Sequence, residues 1–304
     1  LRKKRPGMKL KGTAPAKVNL ALHVLGRLAN GYHEISSLVV FTTLGDTLTI
    51  APSGPQGLTV RGPFADCVPH DESNLACRAL RSLGCDDKLA VTLDKHLPVE
   101  AGLGGGSSNA ATAMRMAAGI LDLDLPAPAA TVTLGSDIPV CLFGMPALVG
   151  GVGERISPVL TIPNFFLVLV NPMLPLATRD VYHAVTTPAN RALDMPSTGI
   201  SQAAFIVWLQ EQTNDLEAAA ATLEPRIHDV ITTIHETSGC LLARMSGSGT
   251  TCFGLYANRA DAACAARSIA TAHTDWWVRD TQLLPDTARS AGARVRRHRN
   301  PGSH

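Results

Sequence analysis

Residues 98–114 read PVEAGLGGGSSNAATAM, with glycine at 102, 104, 105 and 106 and two serines after them. Glycine admits left-handed backbone and lets main-chain N–H groups come close to a ligand. Ser107 or Ser108 is placed to cap a following helix. Ala110, Ala111, Met114, Ala117, Ala118 and Leu121 then recur at three- and four-residue intervals, as one buried helix face does. A glycine loop opening onto a helix N-terminus points free N–H groups and the positive end of the helix dipole the same way, which makes an anion site. A nucleotide phosphate is the simplest guest. A plain flexible turn is the alternative, and the serine pair with its capped helix disfavours it.

The commoner phosphate motifs do not fit. A Walker A loop ends in Gly-Lys-Ser/Thr, and no lysine is present here. The HRD and DFG signatures of protein kinases are absent. Gly102, Gly104 and Ser107 approximate the dinucleotide fingerprint GxGxxG, with Asp122 about twenty residues further on. In that fold, however, the strand runs straight into the glycines. Here residues 97–101 intervene, and Asp122 and Asp124 stand at the end of a helix.

Upstream, Val18, Leu20, Leu22 and Val24 alternate with Asn19, Ala21 and His23, which predicts a strand over 13–27. Lys17 and Asn19, two apart, share one face of it. That pair suits an oxygen-rich ligand or a merely exposed strand face. Asn30-Gly31 signals a turn. Tyr32 and His33 follow, fit either to stack on a base or simply to pack. Strands over 36–43 and 47–51 with a turn at Gly45-Asp46, a loop-rich 53–72, a helix over 73–83 stopped by Gly84, and a strand over 89–93 lead through Lys95 to the glycine loop.

Beyond the loop helix, Asp137 stands between Gly135-Ser136 and Ile138-Pro139. A lone acid at such an edge serves as a general base or metal ligand, or as an Asx-type cap. The glycine-rich 147–154 reads as the passage to a second domain. There the pattern predicts a buried strand over 165–170, a helix start near Thr178 and Tyr182, a loop over 187–201, and helices near 202–211, 215–222 and 225–237. A strand–turn–strand over 239–257, a helix over 261–273 and a last strand over 277–281 follow. Ser246-Gly247-Ser248-Gly249-Thr250 is a second candidate anion nest.

The net charge of +2 conceals a division. Residues 1–11 carry six Lys/Arg and residues 289–304 carry five Arg, neither with an acid, so setting these eleven aside leaves a body at −9. A nucleic-acid binder carries its basic patch on the folded domain, so no nucleic-acid partner is expected. No apolar run approaches the ~20 residues that span a bilayer, and a cytoplasmic protein without a membrane partner is expected. Seven scattered cysteines with no CxxC read as reduced thiols. The ten histidines show no zinc spacing.

Three separated stretches, PAKVNLALHVLGRLANGYH, LPVEAGLGGGSSNAA followed by LGSDIPV, and MSGSGTTCFG, resemble the motifs of the galactokinase, homoserine kinase, mevalonate kinase and phosphomevalonate kinase superfamily. The resemblance implies an α+β, two-lobed small-molecule kinase fold with ATP and substrate meeting in the cleft. It covers residues 12–285 and implies an ATP-binding and catalytic domain over 12–155 and a C-terminal domain over 156–285, leaving 1–11 and 286–304 as the basic tails that the charge marks out. Asn30-Gly31-Tyr32-His33, placed after Lys17 and Asn19, points to members that phosphorylate the 2-hydroxyl of a cytidine-diphosphate ester of methylerythritol on the non-mevalonate route to isoprenoid precursors. A homoserine- or mevalonate-type kinase, or a non-catalytic nucleotide-binding protein, is the alternative.

ATP and Mg²⁺ are the implied cofactors. Carried over by position, Asp137 is the base and Lys17 its partner. Pro98, Val99, Glu100, Ala101, Gly102, Leu103, Gly104, Gly105, Gly106, Ser107 and Ser108 wrap the ATP phosphates, and Asn74 and Lys95 lie near the adenine. Asn19, Tyr32, His33, Thr178 and Tyr182 hold the cytidine-bearing substrate, and the metal ligands stay undefined. Glu100-Ala101 departs from the small residues usual before GLGGGSS, so the Glu100 carboxylate is expected to face away from the phosphates.

Overall fold

The computed structural model describes residues 9–52, 57–186 and 191–284. β1 (Leu10–Arg27) and β2 (His33–Ala51) form a long antiparallel hairpin. Its tip is closed where Asn30-Gly31 signals a turn, with Leu28 N–H donating to Tyr32 C=O at 2.8 Å and Gly31 at φ 87°. Leu10 and Lys11 already pair with Ile50 and Thr49, so the sheet begins inside the stretch assigned to the basic tail. Residues 1–8 and 285–304 lie outside the described residues, and so does most of both tails.

The two strands predicted over 36–51 are one strand. Gly45 is not at a turn but opposite Pro15, and a Cβ there would lie 2.1 Å from the Ala14 carbonyl oxygen. The glycine answers a close backbone approach at an irregularity of β1, which in sequence looks the same as a turn glycine. Register shifts fall between Pro15 and Lys17 and again between Asn19 and Ala21, so Lys17 and Asn19 occupy a short regular segment between two irregularities. Bulges of this kind re-aim side chains beside functional sites.

β3 (Gly57–Arg61) is an edge strand inside the stretch that reads as loop, with only Leu58 and Val60 to mark it. α1 (Leu75–Ser82), β4 (Ala90–Asp94), α2 (Gly105–Leu121), α3 (Ile138–Phe143), β5 (Ala147–Gly151) and β6 (Arg155–Pro158) complete the first half. The sheet order is β3-β4-β2-β5-β6, with β1 along the other edge of β2. The glycine-rich 147–154 is therefore not a linker: it forms β5 and the turn into β6, and the first sheet continues to Pro158.

The second half holds β7 (Phe166–Asn171), α4 (Thr178–Ala184), α5 (Gln202–Gln210), α6 (Glu217–Leu223), α7 (Arg226–His235), β8 (Cys240–Met245), β9 (Cys252–Tyr256), α8 (Arg259–Ala272) and β10 (Trp277–Gln282). Its strands form an antiparallel sheet in the order β10-β7-β9-β8. Together these halves make the expected α+β architecture.

One core joins the sheets. Val18, Leu20, Leu38 and Val40 of the first hairpin pack in one cluster with Phe165, Leu167, Leu169, Phe253 and Leu255. Leu22 N–H donates to Thr213 C=O at 2.9 Å, and Leu284 N–H returns to Phe41 C=O at 2.8 Å. β1 and β2 therefore belong to both halves. α2 lies against the first sheet between α1 and α3, with Ala110, Ala111, Ala113, Met114 and Ala117 all fully buried. Its alanines admit that close approach, and full burial of Met114 alone contributes about 1.5–3 kcal/mol. No described helix is long and apolar enough to cross a membrane, and all seven cysteines are free thiols.

Candidate active site

A cleft of about 850 Å³ opens between the first hairpin, the glycine loop and α4. At its floor Lys17 Nζ lies 3.0 Å from Asp137 Oδ2, with the lysine side chain 5% exposed and the aspartate 39%. The same Nζ donates to Asn19 Oδ1 at 2.8 Å. Asn19 Nδ2 donates to Ser37 Oγ at 2.8 Å, and Ser37 Oγ–H to Ala21 C=O at 2.7 Å. The ammonium is thus held from behind by a closed relay and faces one carboxylate open to the cleft. Asn19, expected on the substrate, lines the cleft and also orients Lys17. Asp137 precedes α3 with helical backbone, φ −87°, and makes no side-chain cap bond. The Asx-cap reading therefore fails, and the carboxylate is free for Lys17.

The glycine loop meets this pair from above. α2 starts at Gly105, with Gly104 at the cap position in left-handed backbone, φ 60°, and no side-chain cap. Neither Ser107 nor Ser108 is the cap; both lie inside the first turn, and Ser108 N–H donates to Gly104 C=O at 2.8 Å. A glycine at the cap position strengthens the anion site. The N–H groups of Gly105, Gly106 and Ser107 are the ones left without helical acceptors, and no side chain at 104 obstructs them. A Cβ on Gly104 would lie 2.9 Å from Lys17 Cε and 3.4 Å from Asp137 Oδ2, so the loop is in contact with the ion pair.

The second glycine-serine turn, 246–250, lies behind that loop. A Cβ on Gly102 would lie 2.2 Å from the Ser246 carbonyl oxygen. Ser246 Oγ–H donates to Gly102 C=O at 3.0 Å and accepts from Asn19 N–H at 3.1 Å, while Thr251 N–H donates to Ala101 C=O at 3.3 Å. The turn buttresses the first loop, and only Gly247 and Ser248 of it line the cleft.

Lys95 lines the inner wall, with Asp46 buried behind it. Both are buried; Lys95 Nζ sits 2.8 Å from Asp46 Oδ2 and donates to Leu97 C=O at 2.7 Å. Asp46 Oδ1 accepts from the N–H groups of His96 and Leu97 at 2.7 and 2.8 Å. Burial pulls the Lys95 pKa below its ordinary value, against the opposing pull of Asp46. Asp46, which reads as a turn residue, pins the strand that leads into the loop. Asn74, expected near the adenine, caps α1 by accepting from Ala76 N–H at 3.0 Å and donates to Pro69 C=O at 2.8 Å. It and Lys95 line the cleft beside Val68, Leu75 and Leu93. Asn109, one turn beyond Gly105, lines the same wall, and its Oδ1 is buried without a hydrogen-bond partner among the described residues. Sequence periodicity gave no reason to single it out.

Leu103 and Ser108, each 1% exposed, are not in the lining; Leu103 is core, and its C=O accepts from Lys17 N–H at 2.9 Å. Pro98, Val99, Glu100, Ala101, Gly102 and Gly104 to Ser107 do line the cleft. Glu100 is exposed there, in left-handed backbone at φ 52°.

At the outer end, His33 and Tyr182 stack with ring centroids 5.2 Å apart, leaving no room for a third ring between them. Any base must use an outer face or edge of the pair. Tyr32 is 62% exposed while His33 is buried, as adjacent strand-end residues on opposite faces should be. The His33 pKa is lowered by burial first and then by the positive charges of Arg27 and His183. Burial and the Asp137 charge raise that of Tyr182. Thr178 Oγ1 lies 2.8 Å from Ser248 Oγ. Arg27, Arg179 and His183, which sequence reading passed over, line this end as well.

Residues 74–145 match the family model for the GHMP kinase N-terminal domain and residues 200–274 that for the GHMP kinase C-terminal region. A 4-diphosphocytidyl-2-C-methyl-D-erythritol kinase of Paramagnetospirillum magneticum is 44% identical over 281 residues, covering 89% of this chain and 97% of that protein. The protein of the same name from Rhodopseudomonas palustris is 44% identical over 289 residues, covering 89% and 96%. A crystal structure of 4-(cytidine 5'-diphospho)-2C-methyl-D-erythritol kinase superposes with a TM-score of 0.73 at 33% identity, covering 91% of this chain and 100% of that one. A homoserine kinase from Cytophaga hutchinsonii, at 16% identity and TM-score 0.65, shares the fold. With that match across nearly its full described length, and a glycine loop set against an ion pair in the cleft, the chain belongs to the GHMP kinase family, whose members use ATP, and within it to the 4-diphosphocytidyl-2-C-methyl-D-erythritol kinases.

Proposed function

We propose that the chain transfers the γ-phosphoryl group of ATP to the 2-hydroxyl of 4-diphosphocytidyl-2-C-methyl-D-erythritol, with Asp137 as the base. The observation that carries this reading is the Lys17–Asp137 pair at 3.0 Å directly beneath Gly104. Phosphoryl transfer needs positioning and charge stabilisation more than covalent help. The open N–H groups of Gly105, Gly106 and Ser107 hold the ATP phosphates at the positive end of α2. Asp137 accepts the hydroxyl proton as the new oxygen–phosphorus bond forms and the bond to ADP breaks. Lys17, 3.0 Å from that carboxylate, orients it and stabilises the charge that develops beside it. Asn19 and Ser37 fix the ammonium, so no reorganisation is needed when charge moves.

The nucleoside half of ATP lies along Asn74, Leu75, Leu93 and Lys95. The open acceptor on Asn109 suits a donor on that half of the nucleotide, since phosphates offer only acceptors. Mg²⁺ bound with ATP would neutralise phosphate charge, and Ser107, on the cleft wall next to the open N–H groups, would be the hydroxyl to hold it. The cytidine end rests on His33, Tyr182, Tyr32 and Thr178. His33 in its neutral form can both donate to and accept from the cytosine edge.

A coupled ADP-release assay over a substrate panel tests the reading. Turnover is expected with the cytidine-diphosphate ester and far less with methylerythritol 4-phosphate, homoserine or mevalonate, because a site built to bond a polar group rejects analogues that lack it. Equal or better rates on homoserine or mevalonate would place the chain's activity elsewhere in the superfamily.

A further inference from the structure

We propose that Arg27 and Arg179, with His183 beside them, form an anion-recognition face of the cleft that takes the diphosphate of the nucleoside diphosphate ester and so helps to set substrate choice. This rests on the substrate reading given above.

The helix α4 presents one face to the cleft: Thr178, Arg179, Tyr182 and His183 stand at positions i, i+1, i+4 and i+5 and all line it. Arg27 closes the opposite side, at the end of β1 and in register with His33. Thr178 is bonded to Ser248, and Tyr182 is stacked on His33. Among the lining cations, Lys17 is paired with Asp137 and Lys95 with Asp46. Arg27 has no carboxylate partner among the described residues. Arg179 has only its chain neighbour Asp180, at 3.7 Å, with both side chains largely in water. The lining holds just two acids, Asp137 and Glu100, and Glu100 belongs to the glycine loop.

Apart from Asp180 beside Arg179, the outer cleft is therefore a positive field without a matching carboxylate among the described residues. That field reaches the His33 ring, whose pKa is lowered by burial first and then by Arg27 and His183. A neutral imidazole flanked by guanidinium groups suits the junction between an uncharged base and an anionic linker. Guanidinium forks match phosphate oxygens bidentately, which an ammonium does not. The same arrangement gives no advantage to a free nucleoside or to an uncharged polyol.

Calorimetry with CDP, cytidine and ATP on the native protein and on Arg27→Gln with Arg179→Gln tests this. Both positions are exposed, so the fold is not at risk, and a thermal melt confirms it. CDP affinity should fall by about 10- to 100-fold, as loss of charge-assisted hydrogen bonds implies. Cytidine and ATP affinities should change less than about twofold, and the KM for the cytidine-diphosphate ester should rise with CDP. Unchanged CDP affinity would overturn the proposal, and so would an equal loss for cytidine, which would make the arginines part of the base pocket instead. A native protein that fails to turn over the ester while the arginines still control CDP binding would refute the substrate reading and leave the anion face standing.

Discussion

Gly104→Ala should damage catalysis more than nucleotide binding. The added Cβ would sit 2.9 Å from Lys17 Cε and 3.4 Å from both Lys17 Cβ and Asp137 Oδ2. Carbon atoms settle at about 3.5–4.0 Å, so the lysine chain must retreat by roughly 0.6 Å or more. Its ammonium is held at 3.0 Å from Asp137 and 2.8 Å from Asn19, and a shift of that size breaks one of the two contacts. A misplacement of about 1 Å costs about 10²-fold in rate, so about half that displacement predicts a kcat lowered by about tenfold. The left-handed backbone, φ 60°, adds about 1–2 kcal/mol of instability for any residue with a Cβ. Gly106→Ala is the contrast: its Cβ would meet only Leu75 Cδ2, at 3.8 Å, inside the helix. That variant should melt at or above the native temperature, since alanine favours a helix interior over glycine by about 1 kcal/mol. Steady-state ADP release, ATP titration and thermal melts on both variants check the reasoning. Native kcat and native stability in Gly104→Ala would refute it, as would a loss confined to ATP affinity.

Other changes separate structural from chemical roles. Asp46→Ala leaves Lys95 buried without its counter-charge and orphans two N–H groups, so denaturant unfolding should show a loss of about 3–5 kcal/mol. Adding Lys95→Met should recover part of it, and a single-variant loss below about 1 kcal/mol would deny the pair its structural role. His33, with its pKa lowered from 6.5, binds fewer protons folded than unfolded; its share of stability is present above pH 6.5 and lost as the pH falls toward the folded value. An NMR titration should place the His33 midpoint below 6.5, and a midpoint at or above it would contradict the charges assigned around the ring. Residues 8–286 alone should fold and turn over substrate, because the motif-bearing segments lie within them; loss of activity with a native circular dichroism spectrum would mean that a tail completes the site.

The parts of the fold with strong local periodicity were legible in the sequence. The alternation from Val18 to Val24, the spacing from Ala110 to Ala118 and the strand–turn–strand around Ser246 each became the expected element. What failed were readings that depended on a distant partner. Gly45 looks like a turn glycine, yet it is required by the Ala14 backbone across the hairpin. Gly150 and Gly151 look like a linker but pair with Ser36 and Ile35 of β2. Ser107 and Ser108 are good caps by type, but left-handed Gly104 starts the helix before them. In the site, Lys17, Asp137 and the glycine loop were readable as a motif. Asp46, Asn109 and the outer-end residues Arg27, Arg179 and His183 were not, because their roles come from burial, an unpaired lone pair and convergence of remote elements, none of which has a local signature.

In this account Asp137 accepts the substrate's proton while Lys17, 3.0 Å away, orients the carboxylate. Asp137→Asn keeps the shape of the side chain and removes the charge, so it tests that claim most directly. Single-turnover transfer from ATP to the cytidine-diphosphate ester should slow by about 10²–10⁴-fold, with ATP affinity by calorimetry within about threefold of native, since the phosphates rest on the α2 N–H groups. Transfer at a near-native rate in Asp137→Asn would contradict the account, whatever the substrate.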